Sequence, residues 1–409
     1  MPEHAHTSAL TFGQRVRRLR ERQGQTRPVL GGLVGRSAEW VKAIETGRLG
    51  VPRLPLLLRL ADVLGVKDLA ELTGEERLTA SSYTKAAHDA LPAVKGALTT
   101  YQFTSPDEQP ETVESLLGRV RDAWSLWHGT GRHRTRIAVV LPDLLADLQH
   151  AARVYGGTDR RRVQVALAET YHLAQLFLSF QPAPELVILT GDRAMAAAQD
   201  ADSPRAIACA AWYMNHVFRD AGERHEARVD LAMQAADLLN PDRDREDLAR
   251  WGLLQLAAAL SYAKIGKRGD AERYWDRAND AARRLGDTYA HPYLIFGRSM
   301  VDAYAITMHT DLVRSREATE TADRIDVASM PSATRRSFHL IETARAYSLQ
   351  NEPIAVVHLL KKAHRASPET ARFNLFTRSA VAELADTGPA VVRDDARALR
   401  RDLGLPIAA

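Results

Sequence analysis

Residues 12–73 consist of short amphipathic segments separated by turn residues, and this pattern constrains the fold more than any other feature of the chain. Phe12, Val16 and Leu19 are spaced by four and then three residues, which places one apolar stripe along a helix whose other faces carry arginines. Gly24 ends this helix. The pattern predicts a compact set of short helices with their stripes facing inward.

Cap residues mark the helices that follow. Thr26 is positioned as the N-cap of a helix that Gly35 closes, and Ser37 is positioned to cap the next one. Four of the predicted helices span residues 12–23, 27–34, 38–45 and 54–65. With a short fifth helix they make an all-α unit whose middle two helices are separated by a tight turn. That arrangement is typical of helix-turn-helix domains.

The excess positive charge is confined to the same part of the chain. The protein has 55 Lys and Arg against 51 Asp and Glu, and residues 1–75 hold 12 of the former and 8 of the latter. The remainder is neutral. This asymmetry indicates that residues 1–75 form a polyanion-binding head and that the body that follows has another role. The alternative is an arginine-rich helix face that is only solvated, and the charge by itself favours that alternative.

Length and composition exclude several protein classes. With 409 residues the chain is longer than a single domain of about 100–200 residues, so two or more domains or a repeat array are expected. Cys209 is the one cysteine, which excludes a disulfide framework. Together with an N-terminus that lacks an apolar signal region, it predicts a cytoplasmic protein. No run of about 18 apolar residues occurs, so no membrane partner is expected.

The run TRPVLGGLVGRSAEWVKAIETGRLGVPRLPLLLRLADVLGV resembles the DNA-binding domain of the XRE family of helix-turn-helix regulators, which are similar to the Cro and lambda repressors. The matching features are Thr26, Leu30, Gly35, Ser37, Ile44, Glu45, Gly47 and the helix that carries Leu57, Leu60, Ala61, Leu64 and Gly65. Pro28 and Arg36 depart from the family pattern. The resemblance covers residues 12–73 and implies a five-helix, lambda-repressor-like domain over residues 1–75.

The resemblance assigns base contacts to the third helix, at Ala38, Glu39 and Lys42, with Ala43 as a weaker candidate. Glu39 could accept a hydrogen bond from a cytosine amine and Ala38 could contact a thymine methyl, whereas Lys42 could reach a guanine edge or only a phosphate. The further candidates for contact with the DNA backbone are Arg27, Arg36, Ser37 and Arg48. The alternative is that all of these are ordinary solvated surface residues.

Glu45 is expected to act structurally. In the resembled family this acid pairs with a basic residue of the first helix, and Arg20 occupies that position. An Arg20–Glu45 ion pair would therefore set the angle between the first and third helices. Trp40 is assigned to the core rather than to base stacking, because it lies on the apolar side of its helix with Ile44.

A connector over residues 76–111 precedes a helical body over residues 112–409. The connector is rich in Ser, Thr and Pro, and a short helix over 85–98 is expected within it, interrupted or kinked by Pro92. In the body, helix follows helix with short breaks. Similar breaks recur at residues 219–227, 264–272 and 349–357, each joining a longer apolar helix to an alanine-rich one, and residues 308–318 could serve as the missing unit between them.

This recurrence resembles the helix pairs of tetratricopeptide (TPR) proteins, although its period of about 42 residues is longer than theirs of ~34. It predicts an α-solenoid of TPR-like pairs that stack into a curved array with a concave inner surface. The first helix of each pair usually lines that concavity. The candidate ligand-binding residues there are Trp212, Asn215, Arg219, Arg250 and Arg298, together with Gln255 and Asp302. Core packing is the alternative at each position.

No catalytic motif is recognisable. The chain lacks phosphate-binding, dinucleotide-binding, zinc-protease and serine-hydrolase signatures, and its histidines show no ligand-type spacing. Cys209 lies on an apolar helix face and is interpreted as a core residue rather than a redox sensor. We therefore expect neither enzyme activity nor a metal or other cofactor.

These patterns predict a sequence-specific, DNA-binding transcriptional regulator. One head reads only a few base pairs, so a homodimer on an inverted repeat is expected, with half-sites about one helical turn apart. By analogy with peptide-responsive regulators, a peptide, small-molecule or protein effector bound to the body would change the spacing of the heads. The alternative is a protein-interaction scaffold whose helix-turn-helix is a docking or degenerate module. An enzyme is a third hypothesis that no motif favours.

Overall fold

The structure is a computed structural model that describes residues 10–74, 85–101, 108–221 and 225–405. Over these ranges the protein forms 21 α-helices and one short 3-10 turn, and no strand is present in the described residues. A helix-turn-helix head is followed by a helical repeat-like body. The all-α expectation is therefore confirmed.

Five helices form the head. They are α1 (Phe12–Arg22), α2 (Arg27–Val34), α3 (Ala38–Glu45), α4 (Leu54–Val63) and α5 (Ala70–Thr73). The expected caps are in place, because the Thr26 hydroxyl accepts a hydrogen bond from Val29 N at 3.4 Å and the Ser37 hydroxyl accepts one from Trp40 N at 3.0 Å. Gly35 takes φ +68°, a left-handed conformation that ends α2 without strain.

Two glycines allow the head helices to approach each other closely. A Cβ atom on Gly13 would lie 2.1 Å from the backbone oxygen of Ile44, so α1 touches the end of α3 backbone to backbone. A Cβ atom on Gly31 would lie 2.8 Å from the backbone oxygen of Arg36, where α2 meets the turn before α3. Gly31 lowers helix propensity, but no larger residue fits this contact.

The body contains the remaining sixteen helices. They are α6 (Leu91–Thr99), α7 (Val113–Gly129), α8 (His133–Val154), α9 (Gly157–Leu178), α10 (Pro184–Asp200), α11 (Pro204–Ala221), α12 (His225–Asp237), α13 (Arg245–Lys264), α14 (Arg268–Leu285), α15 (Arg298–Asp311), α16 (Ser315–Ala322), α17 (Ala333–Ser348), α18 (Pro353–Ala366), α19 (Pro368–Phe373), α20 (Leu375–Asp386) and α21 (Ala390–Asp402). None of the helices in the described ranges is long and apolar enough to span a membrane.

Six consecutive helix pairs run from α7–α8 to α17–α18, and the four breaks expected from the sequence fall between the helices of a pair. Within this array α7, α9, α11, α13, α15 and α17 form an inner layer in which each helix packs against the next. Ala271 and Ala318 are fully buried where second helices pack against first ones. Small residues at these positions let the helices of a pair approach closely.

The inner layer closes on itself, which differs from the expected open, concave array. Helix α17 packs against α7, so the last inner helix meets the first. At this closure His128 Nδ1 lies 2.9 Å from the Ser332 hydroxyl, and the Trp124 ring stacks on Tyr293 at 5.3 Å between centroids. Aromatic and histidine side chains of the described body therefore pack together where the inner layer closes.

The predicted connector is partly integrated into the body. Its expected helix begins at Leu91, with Pro92 in the first turn rather than as an interruption, because a proline there removes no helical hydrogen bond. Val94 and Leu98 are fully buried in the body core, and the helix packs against α8 and α10. The connector residues 76–84 and 102–107 lie outside the described part of the chain.

We expect Gly13→Ala to destabilise the head, because the new methyl group would collide with the Ile44 backbone rather than with a movable side chain. Overpacking of this kind costs about 1–3 kcal/mol. Hydrogen–deuterium exchange of full-length protein should show faster exchange in α1 and α3 and unchanged exchange in the body. The matched control is Gly32→Ala in α2, where a Cβ meets no atom within 4 Å. That control should slow exchange in α2, and equal effects of the two substitutions would contradict the close approach.

Candidate nucleic-acid interface

Helix α3 is anchored in the head by its apolar face. Val41 and Ile44 are each 1 % exposed and belong to the head core, whereas Trp40 packs against that core while half-buried. The tryptophan thus contributes to the core, as expected. Ala43, the weaker candidate for a base contact, is also 1 % exposed. That assignment is wrong, because a buried methyl group cannot reach a base edge.

The opposite face of α3 presents polar groups to solvent. The side chains of Glu39 and Lys42 are 60 % and 51 % exposed, and Lys42 Nζ lies 3.7 Å from Glu39 Oε2. Ala38, in the first turn, is half-buried beside them. An exposed carboxylate and an exposed ammonium group side by side offer an acceptor and a donor to the same stretch of a ligand. This is the face that the sequence assigned to base contacts.

The Glu45 carboxylate, with a side chain 1 % exposed, is held by two arginines. Arg20 Nε lies 2.6 Å from Oε1 and Arg27 Nε lies 2.8 Å from Oε2. The ion pair expected between α1 and α3 is therefore present, and a second arginine from α2 joins it. The hydrogen bond to Glu45 raises the pKa of Arg20 above its usual value. Because both charges are shielded from water, this pairing fixes the orientation of α3 relative to α1 and α2.

Arg27 has a structural role in addition to the DNA-contacting role predicted for it. Its side chain is 35 % exposed, and the Nε–H is used by Glu45. A guanidinium has five N–H donors, so others remain for a phosphate. A substitution at Arg27 would therefore disturb the head itself as well as any DNA contact.

The remaining predicted backbone contacts lie around the two ends of α3. Arg48 is exposed in the turn after α3, and Arg36 Nη1 donates to the Gly35 carbonyl at 2.9 Å before its start. Ser37 is only 8 % exposed. The turn between α13 and α14 lies against it, since a Cβ on Gly266 would be 2.3 Å from the Cβ of Ser37. Part of the leading edge of α3 is thus covered by the body.

The predicted ligand-binding residues of the body do not form one site. Trp212 is 1 % exposed and packs edge-on against Tyr304, so it is a core residue. Asn215 Nδ2 donates to the Arg228 carbonyl at 2.7 Å, and its carboxamide is therefore engaged within the body rather than open to a peptide. These two assignments are corrected, because closure of the inner layer buries the surface on which they were placed.

The other predicted ligand-binding residues are separated. Arg298 is half-buried and pairs with Asp302 at 3.0 Å along α15. Gln255 is buried, and its Nε2 lies 3.9 Å from the sulfur of Met233. The side chain of Arg219 lies outside the described residues. Arg250 lines a cavity in the body.

Some buried titratable groups of the body are held neutral by their burial. Burial lowers the pKa of His172 and His339 to about 3 and raises the pKa of the Cys209 thiol. No group of three or more His, Cys, Asp and Glu side chains that could hold a metal ion occurs in the described ranges. The absence of enzyme activity remains an expectation.

Three residues with clear roles were missed from the sequence. Gly13 lets α1 pack closely against α3. Its position beside Phe12, in the apolar register of the helix, was the sequence feature that could have indicated this. Arg15 is 8 % exposed and donates from Nε to the Leu10 carbonyl at 3.0 Å, although an arginine-rich helix gave no indication of which member is buried. Glu169 lines a cavity in the body and had no sequence signal.

Glu45→Ala should strongly destabilise the head, because it leaves two arginines, one of them buried, without their carboxylate. Removing one partner of a buried ion pair costs about 3–5 kcal/mol. Thermal unfolding of the full-length protein, followed by circular dichroism, should show the head melting before the body. The control is Arg17→Ala, which removes an exposed i, i+4 pair with Glu21 and should leave the melting profile nearly unchanged. Similar profiles for both variants would show that the Glu45 pairing does not hold the head together.

Comparison with known proteins identifies the head. Residues 11–73 match the family model described as a helix-turn-helix domain. No significant match is found among curated proteins. The matched range spans α1 to α5 and includes the capped helix α3 with its exposed Glu39 and Lys42. The head of this protein is therefore a helix-turn-helix domain, the type of domain that regulators use to bind DNA.

Proposed function

We propose that this protein is a sequence-specific transcriptional regulator of the XRE type, which reads DNA with α3. The observation that carries the proposal is the two-sided character of that helix. One side is locked into the head by Val41, Ile44 and Glu45, and the other presents Glu39 and Lys42 to solvent. A helix held this rigidly presents its exposed side chains to the base edges of a site in a fixed geometry.

Each exposed group has a chemical counterpart in the major groove. The Glu39 carboxylate is an acceptor suited to the cytosine N4 amine, and the Lys42 ammonium is a donor suited to guanine O6 and N7 or to a phosphate. The methyl group of Ala38 suits a thymine methyl. Arg27, Arg36, Ser37 and Arg48 surround α3 and would contact the DNA backbone, which sets register rather than sequence.

The expected dimer follows from how little one head can read. A single α3 reaches only a few base pairs, which is too short a site to be distinguished in a genome. Two heads related by a twofold axis would read an inverted repeat with half-sites about one helical turn apart. We therefore propose a homodimer. The helix pairs of the body, which resemble TPR units, are the region we assign to dimerisation and effector binding in the cytoplasm.

DNA access requires the body to move away from α3. A duplex would bring phosphates to the start of α3, where the Gly266 turn now contacts Ser37. In the described arrangement the body is thus docked on the head and covers the start of α3. In the proposed function, DNA competes with the body for it, and any effector that releases the turn raises the affinity for DNA.

The second candidate function is a protein-interaction scaffold. The covered edge of α3 is the observation that favours it, because a head permanently docked on the body would never meet DNA. The two functions are separated by whether the full-length protein enriches a sequence motif from random or genomic fragments at moderate salt. Enrichment supports the regulator, and retention without a motif supports the scaffold.

We expect Lys42→Ala to weaken binding to the selected site by about tenfold, the effect of losing one good base or phosphate contact. Glu39→Ala should relax the preference at one base position of each half-site. Both are measured by repeating the fragment selection and by fluorescence anisotropy across salt concentrations. Arg316→Ala is the control, because its side chain is 87 % exposed on the body and its loss should change nothing. If both α3 variants keep wild-type affinity and preference, α3 is not the reading helix.

Gly266→Asn should tighten DNA binding, because a side chain at this position would collide with Ser37 and push the turn away from the start of α3. Asparagine is chosen because it tolerates the left-handed φ of +78°. If the body is undocked from α3 in only one wild-type molecule in ten, the affinity for DNA should rise about tenfold, which is the inverse of the undocked fraction. Gly404→Asn is the matched control, because Gly404 ends α21 with φ +63° and its Cβ would meet only the tip of Arg372 at 3.9 Å. Equal affinities of the two variants, measured by anisotropy, would show that docking does not limit DNA binding.

A further inference from the structure

A cavity of about 130 Å³ lies in the body where three consecutive inner helices meet. Helix α9 contributes Glu169 and His172, α11 contributes Arg205 and Cys209, and α13 contributes Arg250. Small apolar side chains make up most of the remaining wall, among them Ala168. A cavity of this size has room for about four water molecules at ~30 Å³ each, or for one small organic molecule.

Glu169 is the charged lining residue without a partner. Arg205 is paired through Nε with Asp247 at 2.6 Å and also contacts Asp244, and Arg250 Nη1 lies 2.6 Å from Glu246 Oε2. Glu169 makes no hydrogen bond or ion pair with any residue in the described ranges. The cavity and its immediate surroundings thus hold more carboxylates than guanidinium groups, and the carboxylate that has no ion pair, Glu169, faces the cavity.

Unpartnered polar atoms accompany this carboxylate. His172 is 1 % exposed, lines the cavity, and its Nε2 has no hydrogen-bond partner in the described part of the chain. The Nε–H of Arg250 is in the same condition. Buried polar atoms are almost always hydrogen-bonded, so several without partners around one cavity indicate that something else occupies it.

We propose that this cavity binds a small organic cation, a protonated primary amine with a short apolar body, and that the Glu169 carboxylate is its counter-ion. The ammonium group pairs with the Glu169 carboxylate, which has no ion pair of its own. The alkyl part fits the wall formed by Val165, Ala168 and Ala206. His172, kept neutral by its burial, supplies a hydrogen-bonding nitrogen beside the cation.

The position of the cavity connects it with the proposed regulation. Arg250 lies in the first half of α13, and Gly266 immediately follows the end of the same helix and contacts Ser37 at the start of α3. A ligand that shifts α13 therefore acts on the turn that covers α3. This regulatory meaning rests on the proposed function, whereas ligand binding itself does not and is tested without DNA.

Binding should depend on pH, because the surroundings of Glu169 raise its pKa to about 7. Desolvation is the main cause, and Arg250 opposes it while Glu246 adds to it, both from α13. The other titratable groups that interact with Glu169 are Cys209 and Tyr213 from α11 and Tyr293 from the α14–α15 connection, all neutral near pH 7. An ammonium ligand requires the ionised acid, so its affinity should fall about tenfold for each pH unit below 7.

The test is titration calorimetry of full-length protein with methyl-, propyl- and butylammonium chloride, and 1-propanol and sodium chloride serve as probes that lack the charge or the alkyl group. We expect saturable binding of at least one amine at pH 8, and none of propanol or sodium. At pH 7, titrations in two buffers of different protonation enthalpy should show release of about half a proton per bound amine. A site that is merely structural would release none.

The decisive variant is Glu169→Gln, with Glu185→Gln on the exposed start of α10 as the control. Glu169→Gln should abolish amine binding, and Glu185→Gln should preserve it. Because Gln has the shape of the protonated acid, Glu169→Gln should melt close to the wild-type temperature at pH 4, below the pKa of glutamate in the unfolded chain, and above it at pH 8, which shows that it is folded. Binding by Glu169→Gln, equal binding of propanol, or no binding of any amine would overturn the proposal and indicate a water-filled cavity with a protonated glutamic acid. None of these outcomes bears on DNA binding.

Discussion

The Glu45 carboxylate, shared by Arg20 and Arg27, is the interaction on which the geometry of the head depends. It joins α1, α2 and α3 at one point from which water is excluded, with a side chain only 1 % exposed. Burying the Glu45 carboxylate and the Arg20 guanidinium is tolerable only in the arrangement that pairs them, so the helices have little freedom to rotate. The backbone contact at Gly13 adds a steric constraint at the same end of α3. The solvent-facing side of α3 is therefore presented in a fixed orientation.

The body is organised by a different constraint, the closure of its inner helices. A stack of helix pairs with exposed inner faces would present an open groove, but here α17 returns to α7. Side chains of the inner helices pack on one another, as Trp212 of α11 does on Tyr304 of α15. Polar groups caught inside this layer lose water, which is why His172 stays neutral and the pKa of Glu169 rises. The body contains a small cavity lined by Glu169 where α9, α11 and α13 meet.

The sequence predicted the head well because its signals are local. Thr26 and Ser37 cap their helices within three residues, glycines such as Gly35 end them, and apolar spacing identifies the inward faces. The partner of Glu45 was predicted through resemblance, whereas Arg27 as a second partner was not, because an exposed-looking position gives no sign of an ion pair. Asn215 was misassigned because its partner, the Arg228 carbonyl, lies on the next helix and leaves no trace in side-chain spacing.

The amino-acid sequence alone determined the helical class, the limits of the head, the helix that faces solvent with Glu39 and Lys42, and the breaks between the helix pairs. These depend on periodicity and caps, which act over a few residues. Only the tertiary structure decided that the array closes, that Gly266 covers the start of α3, and that Glu169 faces a cavity beside Arg250 without an ion pair of its own. Those features depend on contacts between residues distant along the chain, and their free energy comes from packing and desolvation that no local pattern encodes.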